Sequence, residues 1–248
     1  MSSEKSSPKH ASAVTRAKNS PPTDRLFDPQ DLERVRRGFI AARTEPTITD
    51  ERGRKVIDTA SYEFLRDGRE CPETVNPHLW RHATLNAHHG LFEVAPNVWQ
   101  VRGYDISNIT FIRGATGWVV IDPLTADSTA QASLELLSQH VERRPVSAVI
   151  YTHSHADHFG GVLGVTTKAD VESGKCQIIA PVGFLHEAIA ENVIAGVAMS
   201  RRATYQFGPL LPPGPHGHVD SGLGNSVPTA APSLLPPTRD ITHTGEEL

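Results

Sequence analysis

Two cysteines in 248 residues, Cys71 and Cys176, are too few for a disulfide framework, and neither belongs to a C-x-x-C pair. Both are expected to be small packing residues. Long apolar runs are also missing. Nothing approaches the ~20 residues of a membrane-spanning helix, and mean hydropathy is −0.32. Neither sign of charge dominates: a formal net charge of −4 and a pI near 6.3 offer no general attraction to nucleic acid or to an anionic membrane. The first 25 residues are rich in Ser, Lys and Pro and lack the apolar stretch of a secretory leader, so an intracellular location is expected. No internal repeat and no phosphate-binding glycine loop is present.

What the chain does have is histidine, 13 residues in all, concentrated at one informative place. Thr152-His153-Ser154-His155-Ala156-Asp157-His158-Phe159-Gly160-Gly161 follows directly on Ser147-Ala148-Val149-Ile150-Tyr151, a β-prone apolar run that reads as a buried strand. Sheet proteins place reactive groups where a strand runs out into a loop, because the sheet fixes the base of the loop. Three imidazoles and a carboxylate within six residues form a donor set for zinc or a similar divalent ion. At this spacing His153 and His155 can serve one ion while Asp157 and His158 serve a second. Gly160 and Gly161 are expected to let the backbone turn and approach the metals closely. Asp122, at the end of an earlier core strand, is either an acceptor that fixes a ligand imidazole or a turn residue with Pro123.

Around this loop the chain reads as α/β. Residues 1–25 are too polar to order and should be a disordered tail. Residues 26–76 form a leading arm, with an amphipathic helix over Phe27–Ile40 and short elements at Lys55–Asp58 and Tyr62–Leu65. From residue 77 to 248 a larger domain is expected. Leu91–Val94, Val98–Val101, Ile106–Ile112 and Trp118–Ile121 are separated by turn residues and read as an antiparallel meander. A helix then opens at Asp127-Ser128, with Ser128 and Gln131 in a capping-box pattern and Ala130, Leu134, Leu137 and Val141 as its apolar stripe. A strand at Gln177–Ala180 and a helix over Phe184–Met199, burying Leu185, Ala188, Ile189, Val193 and Val197, come next. Residues 209–238 hold eight prolines and four glycines, which excludes regular structure and predicts a wrap or an excursion.

The histidine motif resembles the metal-binding signature of the metallo-β-lactamase superfamily. Its flanks are similar to the alkyl sulfatase branch: Gly103-Tyr104-Asp105-Ile106-Ser107-Asn108, Thr116-Gly117-Trp118-Val119-Val120-Ile121-Asp122-Pro123, Glu191-Asn192-Val193-Ile194-Ala195-Gly196 through Arg201-Arg202-Ala203, and Gly208-Pro209-Leu210-Leu211-Pro212. The likeness is read from about Pro77 onward. It implies an αββα sandwich, two zinc ions sharing a hydroxide nucleophile, and hydrolysis of alkyl sulfates to alcohol and sulfate. In that reading His153, His155, Asp157 and His158 are ligands, Asp157 is central to catalysis, and Tyr205 stands in the pocket wall. Arg202 is either an anion contact or part of a basic helix end; Arg201 is read as the latter. The branch has much longer chains and takes further glutamate and histidine ligands from later segments, so the sandwich is expected to be incomplete at its C-terminus and activity impaired. His186, His216, His218 and His243 are the other histidines available; His186 is read as a surface residue, His216 and His218 as solvated loop residues or else a metal-binding H-x-H pair, and Glu246 and Glu247 do not match the absent ligands. The closing residues 239–248 are expected to stop short of a new strand. Other readings are a thioester, lactone or phosphodiester hydrolase of the same superfamily, or a non-catalytic metal-binding fragment.

Overall fold

The computed structural model describes residues 9–20, 28, 30–66 and 68–246. Its centre is a mixed eight-stranded sheet in the order β1-β4-β5-β6-β7-β8-β9-β10. These strands are β1 (Phe39–Ala41), β4 (Gly90–Ala95), β5 (Val98–Arg102), β6 (Ile109–Arg113), β7 (Trp118–Ile121), β8 (Val146–Ile150), β9 (Gln177–Pro181) and β10 (Arg239–Ile241). A separate ribbon pairs β2 (Thr47–Thr49) with β3 (Lys55–Asp58). β4 to β7 pair antiparallel, the meander the turn residues predict; β1, whose first two residues were expected to end a helix, adds to its edge antiparallel to β4. From β7 to β10 every pairing is parallel, so each connection must cross over.

The first crossover is α4 (Asp127–His140), which buries Ala130, Ala132, Leu136 and Leu137 with Thr129 and Ser133. Of the expected stripe Ala130 and Leu137 are buried while Leu134 and Val141 are only partly so, Ala132 and Leu136 take the added places, and the cap differs too. Ala126 takes the cap position, no side chain caps the first turn, and Asp127 instead accepts from the Ser233 hydroxyl at 2.7 Å. The core of the sheet holds Leu91, Ile109, Phe111, Trp118, Val120, Val149 and Ile178, none more than 1% exposed. Trp118 meets Trp99 edge to face at 5.4 Å. Cys176 is buried in the same core.

Within the described residues the N-terminal tail is better ordered than its composition predicts. α1 (Ala13–Lys18) lies inside the segment expected to be disordered. Ser12 caps it, and Glu73 receives Ala11 N at 3.2 Å and Arg16 at 3.4 Å, a tertiary anchor invisible to composition. α2 (Gln30–Arg36) is shorter than the helix expected over 27–40, of which Phe27 lies outside the described residues. Gly38 has φ +74°, and a Cβ there would meet Glu93 O at 2.0 Å, so the chain turns and Phe39 joins β1. α3 (Pro77–Asn86) packs with the arm: Tyr62, Leu65, Val75, Trp80 and Ala83 form a second apolar cluster, closed by Val219 of the wrap. Packing therefore does not break at residue 77.

After β9 the expected long helix is divided. α6 (Phe184–Ile189) passes into a wide π turn (Ala190–Ile194), and α7 (Gly196–Phe207) follows. Ala188 is buried, but Val193, Ile194 and Val197 are 73%, 81% and 78% exposed. Residues 209–238 contain no helix or strand and lie against the domain. Beyond them β10 does form, parallel to β9, where the sequence reading stopped short of a strand. Thr238 N donates to Ile178 O at 2.7 Å and sets its start.

Candidate functional site: a histidine–aspartate loop at the mouth of β8

The site begins with two strand ends. Asp122 follows β7 in a left-handed conformation (φ +55°), and Leu124 repeats it (φ +66°) across Pro123. Non-glycine residues hold such backbone only where their surroundings compensate. Here the compensation is a set of bonds from the neighbouring strand end. Asp122 N donates to Ile150 O at 3.0 Å. Its carboxylate accepts Thr152 N at 2.8 Å and the Thr152 hydroxyl at 2.7 Å. Tyr151, fully buried, stacks on Phe184 at 4.9 Å and fixes the last rung before the loop.

From this base the three imidazoles converge. The ring of His153 lies 4.7 Å from that of His155 and 4.1 Å from that of His158. His158 Nδ1 is 2.9 Å from Asp122 Oδ2, and its Nε2 is 3.2 Å from Asp157 Oδ2. Burial alone would depress the basicity of His158; the hydrogen bonds to Asp122 and Asp157 override it and raise its pKa to about 9. Burial resists ionisation of Asp157, yet the hydrogen bond and charge of His158 hold its carboxyl below the usual range. His153 is pushed down by burial and by the two neighbouring imidazoles, which favours its neutral form.

The remainder of the loop is clamped from outside. The Ser107 hydroxyl donates to Asp157 O. Gly160 and Gly161 do bring backbone close, but to protein rather than into the histidine cluster. A Cβ on Gly161 would meet Pro123 O at 2.2 Å, and one on Gly160 would meet Thr125 O at 2.4 Å and Pro232 at 2.6 Å. Ser233 N donates to Gly160 O at 2.6 Å, so the proline-rich wrap straps the loop down. Behind it Asp105 is buried and accepts Ile106 N, Thr125 N and the hydroxyls of Thr125 and Thr129.

Of the residues singled out from sequence, His153, His155, Asp157, His158 and Asp122 come together. Tyr205 does not join them: it is 87% exposed on α7, beside Phe207, Leu211 and His216. Arg201 and Arg202 are exposed mid-helix rather than at its end. His186 is exposed against Glu187. His216 is exposed, but His218, read as solvated, is 6% exposed and bonded to Tyr62 at 2.8 Å. Glu246 is occupied by Thr242 and Arg239, with exposed His243 nearby; Glu247 lies outside the described residues. Sequence reasoning missed Ser107 and Glu191 as parts of the site. Among the described residues no three donor side chains stand ready-made around an ion. The donor chemistry nevertheless fits one, with a neutral imidazole, an ionised carboxylate and a ring whose Nδ1 is already held.

Fold and site together define an α/β protein with a histidine–aspartate loop at a strand mouth. Residues 102–241 match the model of the metallo-beta-lactamase superfamily, and the chain belongs to that superfamily, which implies a metal cofactor. It is 46% identical over 240 residues to a linear primary-alkylsulfatase of Pseudomonas sp, covering 96% of this chain and 36% of that protein. An alkyl/aryl-sulfatase of Saccharomyces cerevisiae is 49% identical over 232 residues, covering 93% of this chain and 35% of the yeast protein. A solved stereoselective inverting sec-alkylsulfatase from Pseudomonas sp. superposes with a TM-score of 0.88 at 44% identity, across 96% of this chain and 37% of the other. The likeness thus reaches well ahead of residue 77, and the chain spans about a third of the length of these relatives.

Proposed function

We propose that this chain carries the metal-binding half-site of an alkyl sulfate hydrolase, with zinc as the ion and His153, His155, Asp157 and His158 as ligands. The convergence of three imidazole rings within 4.1–4.7 Å on a loop anchored by Asp122 carries the reading. Identity of 45–49% to alkylsulfatases over most of the chain supports the substrate class. Zinc bound there supplies a Lewis acid that acidifies water and offsets the negative charge of a sulfate ester. The protein's own part is orientation. Asp122 holds Nδ1 of His158, whose Nε2 faces the Asp157 carboxylate, Thr152 ties Asp122 to the loop, and Ser107 holds the Asp157 backbone. Outward-facing Tyr205 is assigned no step.

Titration with zinc followed by sulfate release from dodecyl sulfate tests this. Zinc is expected to bind, and His153→Ala is expected to weaken it by at least tenfold, as loss of a direct ligand should. Sulfate release is expected to fall in the same variant. Hydrolysis of a thioester, lactone or phosphodiester with none of the sulfate ester would overturn the substrate class and keep the metal site.

A further inference from the structure

Asp122 aims one imidazole of the loop; a second carboxylate stands in the matching place for another. Nε2 of His155 lies 3.6 Å from Oε1 of Glu191. The side chain of Glu191 is 24% exposed against 60% for His155, so the carboxylate is the better fixed of the two. Its position comes from the π turn between α6 and α7, where Ala195 N reaches back to Ala190 O at 2.9 Å. Such wide turns recur at functional sites because they offset the helical register locally. The next residue, Asn192, donates to Ala188 O at 2.9 Å and reaches Ser154 O at 3.5 Å, so the turn is tied to the loop between the two histidines.

We propose that Glu191 is a positioning residue: it accepts the Nε2 proton of His155 and so presents Nδ1 of that ring to the cation. Asp122 does the converse for His158, holding Nδ1 and turning Nε2 toward Asp157, its fellow member of the loop. Two ligands of one short loop thereby offer opposite nitrogens. A carboxylate behind a ligand imidazole fixes its tautomer and raises its basicity. The inference rests on the metal reading above and adds to it a residue on a different element.

The test has two readouts. In metal-free protein at alkaline pH, where a free imidazole is neutral, nitrogen-detected magnetic resonance should place the His155 proton on Nε2 alone. Glu191→Ala should give a mixture of tautomers, and Glu191→Gln, which keeps an acceptor oxygen, should restore Nε2. In zinc competition against a chelator, Glu191→Ala should bind about 10–100-fold more weakly than wild type, with Glu191→Gln between them. A tautomer mixture in the wild type, or zinc affinity unchanged in Glu191→Ala, overturns the proposal. Wild type that takes up no zinc while holding the single tautomer sinks the metal reading and leaves the Glu191–His155 contact standing.

Discussion

Asp105 concentrates the residue-scale physics of this site. It is buried, and burial raises its carboxyl to about 6, with the hydrogen bonds from Thr125, Thr129 and Ile106 only partly offsetting that. Its unfolded value is near 3.8. Between those values the folded chain holds more protons than the unfolded one, so this group's stabilising effect is full at low pH and is lost as pH rises through about 6. About two pKa units correspond to roughly 3 kcal/mol. Urea unfolding should show it: Asp105→Asn, which cannot ionise, should lose about 3 kcal/mol less stability than wild type between pH 4 and pH 7. A variant with the wild-type pH slope would assign that slope elsewhere. The His153–His158 group was legible in the sequence because its donor side chains are contiguous. Asp122 was half legible, as a strand-end acid. Glu191 was hidden, because nothing in its own residue type separates it from a solvated helix glutamate. His218 was hidden too, since its partner Tyr62 lies 156 residues away.

Among the elements, strands were read well and helices less so. β-prone runs separated by turn residues gave the meander, with the third strand starting three residues later than expected, because the ends of a strand leave local marks. The helix over 184–199 failed in a specific way. Its i, i+4 apolar series assumed one continuous register, and the π turn at Ala190–Ile194 breaks it. Val193 and Val197, expected on the buried side, consequently stand in solvent, with Ile194 exposed beside Val193. Replacing Val193 and Ile194 with serine should change the free energy of unfolding by no more than about 0.5 kcal/mol per site, while reducing the fluorescence of a dye that binds apolar surface. A loss of several kcal/mol in urea titration would show these side chains to be buried after all.

For the molecule as a whole, the arm and the proline-rich wrap share one small core. His218 of the wrap meets Tyr62 of the arm, and Val219 packs among Trp80, Leu65 and Ala83. Composition gave the wrap's lack of helix and strand, yet not its order, since that order comes from contacts far apart in sequence. His218→Ala removes the Tyr62 hydroxyl's buried hydrogen bond to the ring, leaving Ser226 beside it, a cost of about 1–3 kcal/mol. Limited proteolysis should then cut first within 209–224, while the sheet core stays intact. Protection equal to wild type would mean the wrap is held by its other bonds. The sheet's own borders have a separate consequence. β1 and β10, its outermost members, are three residues each, so a foreign peptide seeking to extend the ladder finds almost no rungs to grip. Fibril-like growth from this molecule is disfavoured at both flanks, and any tendency to cluster falls to the helical ridge instead.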